Sequence, residues 1–350
     1  MKVIDLTSKT QELRVRLDPS PVYDLLAALY VVENWSPDLG FEVERRWIRQ
    51  ARRALGPTLR RELRWFVHER GPVMGLVSLL DARPGLPIKD FLKGVSSTPP
   101  AELLERMLTA PVATRAAAPL LREVLHTRSP RAIAAFMAAY PREYRTPRVR
   151  VLVSTEPAEV RERLVGLLQG FYAAVYQQEE ARVLPLLRAD VQAKEALVRE
   201  LPAGEVVERA TGGYAVVPGG EFAQVVLAPS YFFRPYNLIS EYPGVRVFIY
   251  PVEVTGSPGD APGRDLARLF KALGDETRLR ILQLLADREM YLQEIANRLG
   301  VTHVTAIHHL ALLRAVHLVR IVERNNLKYY QLRPEMATEV SQRFASVITT

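Results

Sequence analysis

Apolar residues recur at helical spacing through most of the first two hundred positions. Leu25, Leu26, Leu29 and Val32 fall on one stripe, as do Leu103, Leu104, Met107 and Leu108, because residues three and four apart share a helix face. Prolines at 72, 87, 100, 111, 130 and 141 punctuate the stretch from about Pro21 to Pro202 into successive helices, since proline lacks the amide donor and clashes with the preceding turn. The pattern changes near Gly212. Tyr214 to Val217, a Pro218-Gly219-Gly220 turn and Phe222 to Leu227 predict a β-hairpin, and Val245 to Pro251 predicts a further strand. Near the start, Leu13, Val15 and Leu17 alternate with Arg14, Arg16 and Asp18, an extended segment able to return to that sheet.

Val254 to Arg264 holds three glycines and two prolines, which break helix and strand alike and predict a flexible linker. The expected organisation is an N-terminal, mainly helical domain over 1–253, a linker over 254–263 and a C-terminal domain over 264–350. The fold class is α+β, mainly α: a multi-helix domain with a small β-sheet, followed by a compact helical module with two late strands.

That module has a definite pattern. Leu266, Leu269, Phe270 and Leu273 make a short amphipathic helix that Gly274 ends. Asp275 can cap the next helix, Thr277 to Asp287, by accepting a free backbone N–H of its first turn. A third helix runs from Leu292 to Leu299 and Gly300 closes it, glycine being free to take positive φ. Thr302 caps a fourth, His303 to about Val316, whose Ala306, Leu310 and Leu313 face inward. Its other face shows His303, Val304, Thr305, Ile307 and His308 near the N-terminal end. A helix, a tight glycine turn and a second helix exposing its first residues form the geometry that enters a DNA major groove. Leu318 to Glu323 and Leu327 to Leu332 then alternate around Arg324-Asn325-Asn326, a hairpin turn that asparagine tolerates. This pair reads as a wing, with Arg320, Arg324 and Lys328 placed to grip phosphate. A last helix from Pro334 carries Met336, Val340, Phe344 and Val347 on one stripe.

Composition narrows the chemistry. The apolar fraction is 48% and charged residues make up 25%, ordinary values for a globular protein with a real core. The absence of cysteine excludes disulfides, thiolate metal sites and a catalytic thiol. The opening MKVIDLTSKT has no apolar stretch of a signal peptide, and no apolar run approaches the length of a membrane span, so a cytoplasmic location without membrane attachment is expected. The formal charge is +8, and residues 261–350 carry 13 Arg or Lys against 9 Asp or Glu, half of that surplus.

The stretch from Leu266 to Leu332 resembles the ArsR/SmtB family of winged helix-turn-helix regulators. Phe270 to Asp275 followed by Thr277-Arg278-Leu279 is similar to the family's opening signature, His309-Leu310 to the end of its recognition helix, and Tyr329-Tyr330 to its second wing strand. The resemblance implies binding of double-stranded operator DNA. It also implies a homodimer through the module's first and last helices, here Leu266 to Leu273 and Met336 to Val347. Departures from the family pattern are informative. Tyr291 and Gln293 stand where the family's metal sensors carry cysteines, and Glu335 to Thr350 has no histidine, so neither family metal site is expected and no cofactor is implied. The family's usual glycine after the recognition helix is His317 here, which predicts strain in that turn.

Four of the six histidines, His303, His308, His309 and His317, lie in or beside the recognition helix. None of their pairs has the i, i+4 spacing of a helical metal site. His303 and His308 are expected to meet bases or phosphates and His309 to pack. Val304 and Ile307 suit contact with thymine methyl groups. In the N-terminal domain, Tyr231, Phe233, Arg234 and Tyr236, with Phe171 and Tyr176 on a predicted helix, are either domain core or the lining of an apolar pocket for a small-molecule effector. The arginines from Arg45 to Arg64 either extend a DNA footprint or form a solvated helix face. No phosphate-binding glycine loop, GxSxG or HExxH occurs, and His68 and His126 stand alone. The expected protein is a transcriptional regulator rather than an enzyme, controlled through its N-terminal domain by a non-metal effector. The alternatives are an N-terminal assembly or partner module without effector, or an enzyme fused to a DNA-binding domain.

Overall fold

A computed structural model of the chain describes residues 13–67, 72–81, 83–142, 144–216, 222–252, 263–324 and 327–348. Strand β1 (Arg14–Leu17) leads into helices α1 (Pro21–Asn34), α2 (Arg45–Ala54) and α3 (Gly56–Phe66). Next come α4 (Ile88–Ser97), α5 (Pro100–Thr109), α6 (Ala118–Thr127), α7 (Pro130–Ala139), α8 (Pro147–Ser154) and α9 (Pro157–Phe171). Helices α10 (Gln177–Glu200) and α11 (Ala203–Thr211) precede strands β2 (Tyr214–Ala215), β3 (Phe222–Ser230), β4 (Leu238–Tyr242) and β5 (Gly244–Pro251). The remainder is α12 (Gly263–Leu273), α13 (Glu276–Asp287), β6 (Met290–Tyr291), α14 (Leu292–Leu299), α15 (His303–Ala315), β7 (Val319–Arg324), β8 (Leu327–Leu332) and α16 (Glu335–Ile348). This is the mainly helical α+β class that the patterning predicts.

The chain divides into two compact units. One, the helical unit, spans Arg16–Ala193 and Gln224–Val252; the other, the winged unit, takes in Met1–Val15, Lys194–Ala223 and Glu253–Thr350.

In the helical unit, α1 is buried on every side from Pro21 to Leu29, as befits a helix apolar all round. Its start is fixed by Ser20, whose hydroxyl accepts from the Val22 amide at 3.3 Å and donates to the Leu86 carbonyl at 2.7 Å. The sheet has the order β1-β3-β5-β4, so the N-terminal extended segment does return to it. Strands β4 and β5 form an antiparallel hairpin from Leu238↔Ile249 to Tyr242↔Val245, turning through Gly244 at φ 78°. Val247, Phe248, Ile249 and Tyr250 of β5 are fully buried.

The hairpin expected from Tyr214 to Leu227 does not form. β2 and β3 belong to different sheets, and the Pro218-Gly219-Gly220 turn lies outside the described residues. β2 instead pairs in parallel with β7, Tyr214 with Ile321 and Ala215 with Val322. Residues 194–223 group with the winged unit, and the helical unit ends at Val252, just before the linker expected over 254–263. That linker, over 254–263, lies almost wholly outside the described residues, as does His68.

In the winged unit, helices α12 to α16 match the predicted positions within a residue or three. The sheet order is β2-β7-β8-β6, with β7 and β8 antiparallel from Val319↔Leu332 to Arg324↔Leu327. Ile281, Leu285, Ile295, Ala296, Ala306, Leu310 and Leu313 form the core. The Asp275 carboxylate accepts from the Arg278 amide at 3.0 Å, and Gly300 leaves α14 at φ 67°. His317 sits at φ 61°, the left-handed backbone that the family's glycine would adopt without steric cost.

Candidate nucleic-acid interface

The first turn of α15 is built by Thr302. Its Oγ1 accepts from the Thr305 amide at 3.1 Å and lies 2.8 Å from the Thr305 hydroxyl, so the helix begins sharply with its N-terminal amides facing outward. Ala306, Leu310 and Leu313 fall on the buried face. The opposite face carries Thr302 and His303, both exposed, and Ile307, which leaves 44% of its surface in solvent. His308 is half-buried beside His309, their rings 5.8 Å apart. An isoleucine so exposed at the start of a capped helix gives an apolar contact flanked by hydrogen-bonding groups, which is what a thymine methyl and its neighbouring base edges require. The Val304 side chain lies outside the described residues.

His309 takes the packed place expected of it. Its Nδ1 is 3.6 Å from the Asp275 carboxylate, too far for a hydrogen bond. Burial pulls its pKa down and the Arg278 charge pulls the same way, while Asp275 pulls it up. Asp275, held by the Arg278 amide and charge, stays below the usual carboxylate range despite its own burial.

The wing cations differ in placement. Lys328 is exposed on β8, with its ammonium 5.9 Å from the centre of the Tyr214 ring. Arg320 is engaged: Nε donates to Gln331 at 2.9 Å and Nη1 to Glu208 of α11 at 3.3 Å. The expectation of a phosphate contact from Arg320 thus meets a side chain already committed within the protein. The Arg324 side chain and residues 325–326 lie outside the described residues.

The structure brings in groups that periodicity does not reveal. Behind the wing, Gly213 O accepts from the Ile321 amide at 2.9 Å, and His317 Nδ1 lies 3.2 Å from Gly212 O. Gly212 is at φ 68°, and a Cβ there would sit 2.5 Å from the His317 ring. The α11–β2 segment is therefore fitted closely to the end of α15 and to β7. A pair of glycines before a two-residue strand is a faint signal for this.

The six aromatic and arginine positions that could have lined a pocket are mostly packed. Phe171 and Tyr176 are fully buried, and the Tyr176 hydroxyl donates to Asp24 at 2.8 Å. Asp24 also accepts from the Ser230 hydroxyl at 2.6 Å and from the amides of Tyr231 and Phe232 at 2.7 and 3.1 Å. Burial pushes its carboxyl up while these four donors hold it down. Phe233 makes edge contacts with Tyr30 and Phe41 at 5.5 and 5.4 Å. Arg234 lies over the Tyr231 ring at 4.1 Å and donates to the Tyr231 carbonyl, and the Tyr236 hydroxyl donates to Leu39 O at 2.5 Å. Packing or hydrogen bonds within the protein engage each of the six.

The capped recognition helix, the turn before it and the hairpin after it define a winged helix-turn-helix regulator. Residues 275–320 match the profile of the bacterial regulatory protein, arsR family, and the chain belongs to that family. It is 32% identical over 80 residues to the cadmium resistance transcriptional regulatory protein CadC homolog of Staphylococcus aureus, covering 23% of this chain and 66% of that protein. It is 37% identical over 70 residues to the HTH-type transcriptional regulator KmtR of Mycobacterium tuberculosis, covering 20% and 54%. An uncharacterized HTH-type transcriptional regulator of Methanocaldococcus jannaschii is 33% identical over 75 residues, covering 21% and 84%. The chain thus spans about two thirds and about half the length of the first two relatives. Among solved structures, a fragment of a possible transcriptional regulatory protein from Mycobacterium bovis is similar at 33% identity, with 26% of this chain and 94% of that one covered and a TM-score of 0.22. Reduced HlyU from Vibrio cholerae is similar at 30% identity, with 22% and 83% covered and a TM-score of 0.20.

Proposed function

We propose that this chain binds operator DNA sequence-specifically as a homodimer, inserting α15 into the major groove. The observation that carries the reading is the outward face of that helix, where Thr302, His303 and the 44% exposed Ile307 stand clear of the core. Thr302, His303, Val304, Thr305, Ile307 and His308 are assigned to base edges. Arg324 and Lys328 are assigned to phosphate, and Arg320 holds the wing in place through Glu208 and Gln331. Dimerisation through α12 and α16 is supported by Phe270 and Phe344, which meet edge to face at 5.4 Å while each leaves 44% of its surface exposed. Such a half-covered aromatic pair suits the centre of a two-fold interface.

Control by a non-metal effector acting through the N-terminal residues completes the reading. Its support is the pairing of β2 with β7, which joins a segment from before the linker to the wing itself. Selection of bound sequences from a random duplex library tests the whole. The expected result is an enriched, two-fold symmetric site with half-sites about one helical turn apart; a library that emerges unenriched overturns it.

A further inference from the structure

The densest positive charge of this chain lies outside its winged unit. Residues 45–66 hold eight arginines against one glutamate, a balance of +7, where the whole chain carries +8. Helix α2 buries Ile48 and Ala51, and α3 buries Glu62, Leu63 and Phe66. That leaves Arg45, Arg46, Arg49 and Arg53 of α2 and Arg60, Arg61 and Arg64 of α3 exposed.

Glu62, the single acid of the two helices, accepts from Arg163 at 2.9 Å and lies 3.6 Å from the Arg61 guanidinium. Arg52 turns inward and donates to the carbonyls of Val32, Glu33 and Trp35. The Glu33 carboxyl, pushed up by burial, faces Arg64, Arg52, Arg148 and Arg60 together. Among the described residues Arg46, Arg49, Arg53, Arg60 and Arg64 form no ion pair. A solvated helix face ordinarily alternates acids and bases at i, i+4. Here Arg45 and Arg49, Arg49 and Arg53, and Arg60 and Arg64 take that spacing with like charges, which repel until a polyanion screens them.

The chemistry of the surface selects the polyanion. A bilayer would call for apolar groups beside the cations, and Ile48, Ala51, Leu63 and Phe66 are buried. Single-stranded nucleic acid would call for open aromatic faces. Trp47 instead donates to Glu179 at 2.9 Å and stacks on Phe232 at 4.4 Å, and Trp65 is covered by the Arg163 guanidinium at 3.7 Å. What is offered is a row of guanidinium forks, which match phosphate oxygens.

We propose that the exposed faces of α2 and α3 form a second DNA-contact surface, gripping the phosphate backbone of duplex DNA without reading its bases. The inference rests on the reading of this chain as a DNA-binding regulator, since duplex DNA is the polyanion that reading supplies.

The test is a titration of the full chain with random-sequence duplex between about 50 and 200 mM salt, the range over which phosphate neutralisation registers strongly. The R46Q/R49Q/R53Q variant changes exposed positions and should melt like the parent. Its plot of log K against log salt should be shallower by about 2 to 3, near 0.9 for each phosphate no longer neutralised. R60Q/R64Q should lower the slope by about 1 to 2 on the same rule and supplies a reading independent of α2. If the parent binds duplex and both variants keep its slope, the surface is refuted while the reading of α15 stands. A parent that binds no duplex refutes both. Loss of RNA-duplex or anionic-vesicle binding in the variants, with DNA binding unchanged, also overturns the proposal.

Discussion

Glu208 on α11 holds Arg320 on the first wing strand at 3.3 Å. The same guanidinium donates to Gln331 on the second strand, so one side chain ties the wing hairpin to a segment more than a hundred residues earlier in sequence. Removing it and removing an outer wing cation should therefore differ. Lys328→Ala is expected to weaken specific and non-specific DNA binding together and to reduce the salt slope by about 0.9. Arg320→Ala should leave that slope near the parent's and instead raise hydrogen exchange along β7. Equal slope changes in the two variants would show that Arg320 leaves Glu208 for phosphate.

Base reading should separate from grip. Ile307→Ala and His308→Ala should each lower affinity for the selected operator by roughly tenfold, within the ~1–3 kcal/mol typical of one base position. Affinity for random duplex should hardly move. Competition titrations measure both, and a uniform loss across sequences would remove these residues from the reading face.

Gly212→Ala probes the fit behind the wing. The position is at φ 68° and its added Cβ would meet the His317 ring, so the change should cost at least ~1 kcal/mol from the left-handed backbone alone. The Ile321 amide, which donates to Gly213 O, should then exchange markedly faster. Unchanged protection of Ile321 would mean that β2 does not hold the wing.

Acidification should weaken the winged unit through His309. Burial lowers its folded pKa from the ordinary 6.5, so the unfolded chain takes up the proton first. The contribution of neutral His309 is fully present above about 6.5 and is lost as pH falls below that value toward the lowered folded pKa. The facing groups are Asp275 and Arg278, and Asp275 titrates in a separate, more acidic window because its pKa is lowered too. Melting curves of the parent should show a loss as pH falls below about 6.5 that His309→Gln reduces; identical pH profiles would exclude the residue.

Asp24→Ala should be severely destabilising. It strands the Ser230 and Tyr176 hydroxyls and the Tyr231 and Phe232 amides, and each buried donor left unpaired costs ~1–3 kcal/mol. A loss of at least ~3 kcal/mol is expected in chemical denaturation, and a loss below about 1 kcal/mol, the least that one stranded donor costs, would mean that water replaces the carboxylate.

Short-range chemistry is legible in this sequence, and long-range pairing is not. Asp275, Gly300 and Thr302 mark their helix ends because caps act over three or four residues, and Leu266 to Leu332 repeats a pattern whose periodicity is nearly unbroken. The exposed Ile307 could be placed for the same reason. Tyr214 to Leu227 misleads because its alternation states only that strands form. Whether β2 joins β3 or β7 depends on partners a hundred residues away. The aromatic group from Tyr231 to Tyr236 reads equally as core or pocket until Asp24, an acid within an apolar helix, is seen to collect its amides. Glu208 carried no signal, since an acid on an amphipathic helix is expected to face water.

The parallel pairing of β2 with β7 also governs how the protein can be dissected. A strand edge with bare amides and carbonyls is a template for another chain, and β2 covers that edge at Ile321 and Val322. A fragment cut at the linker, beginning near residue 264, would strip the cover away and leave a sticky rim on the wing sheet. Such a fragment should self-associate in a concentration-dependent way. Restoring solubility would take a charge or a proline on the outer strand, doing by substitution what the Tyr214–Ala215 backbone does in the intact chain.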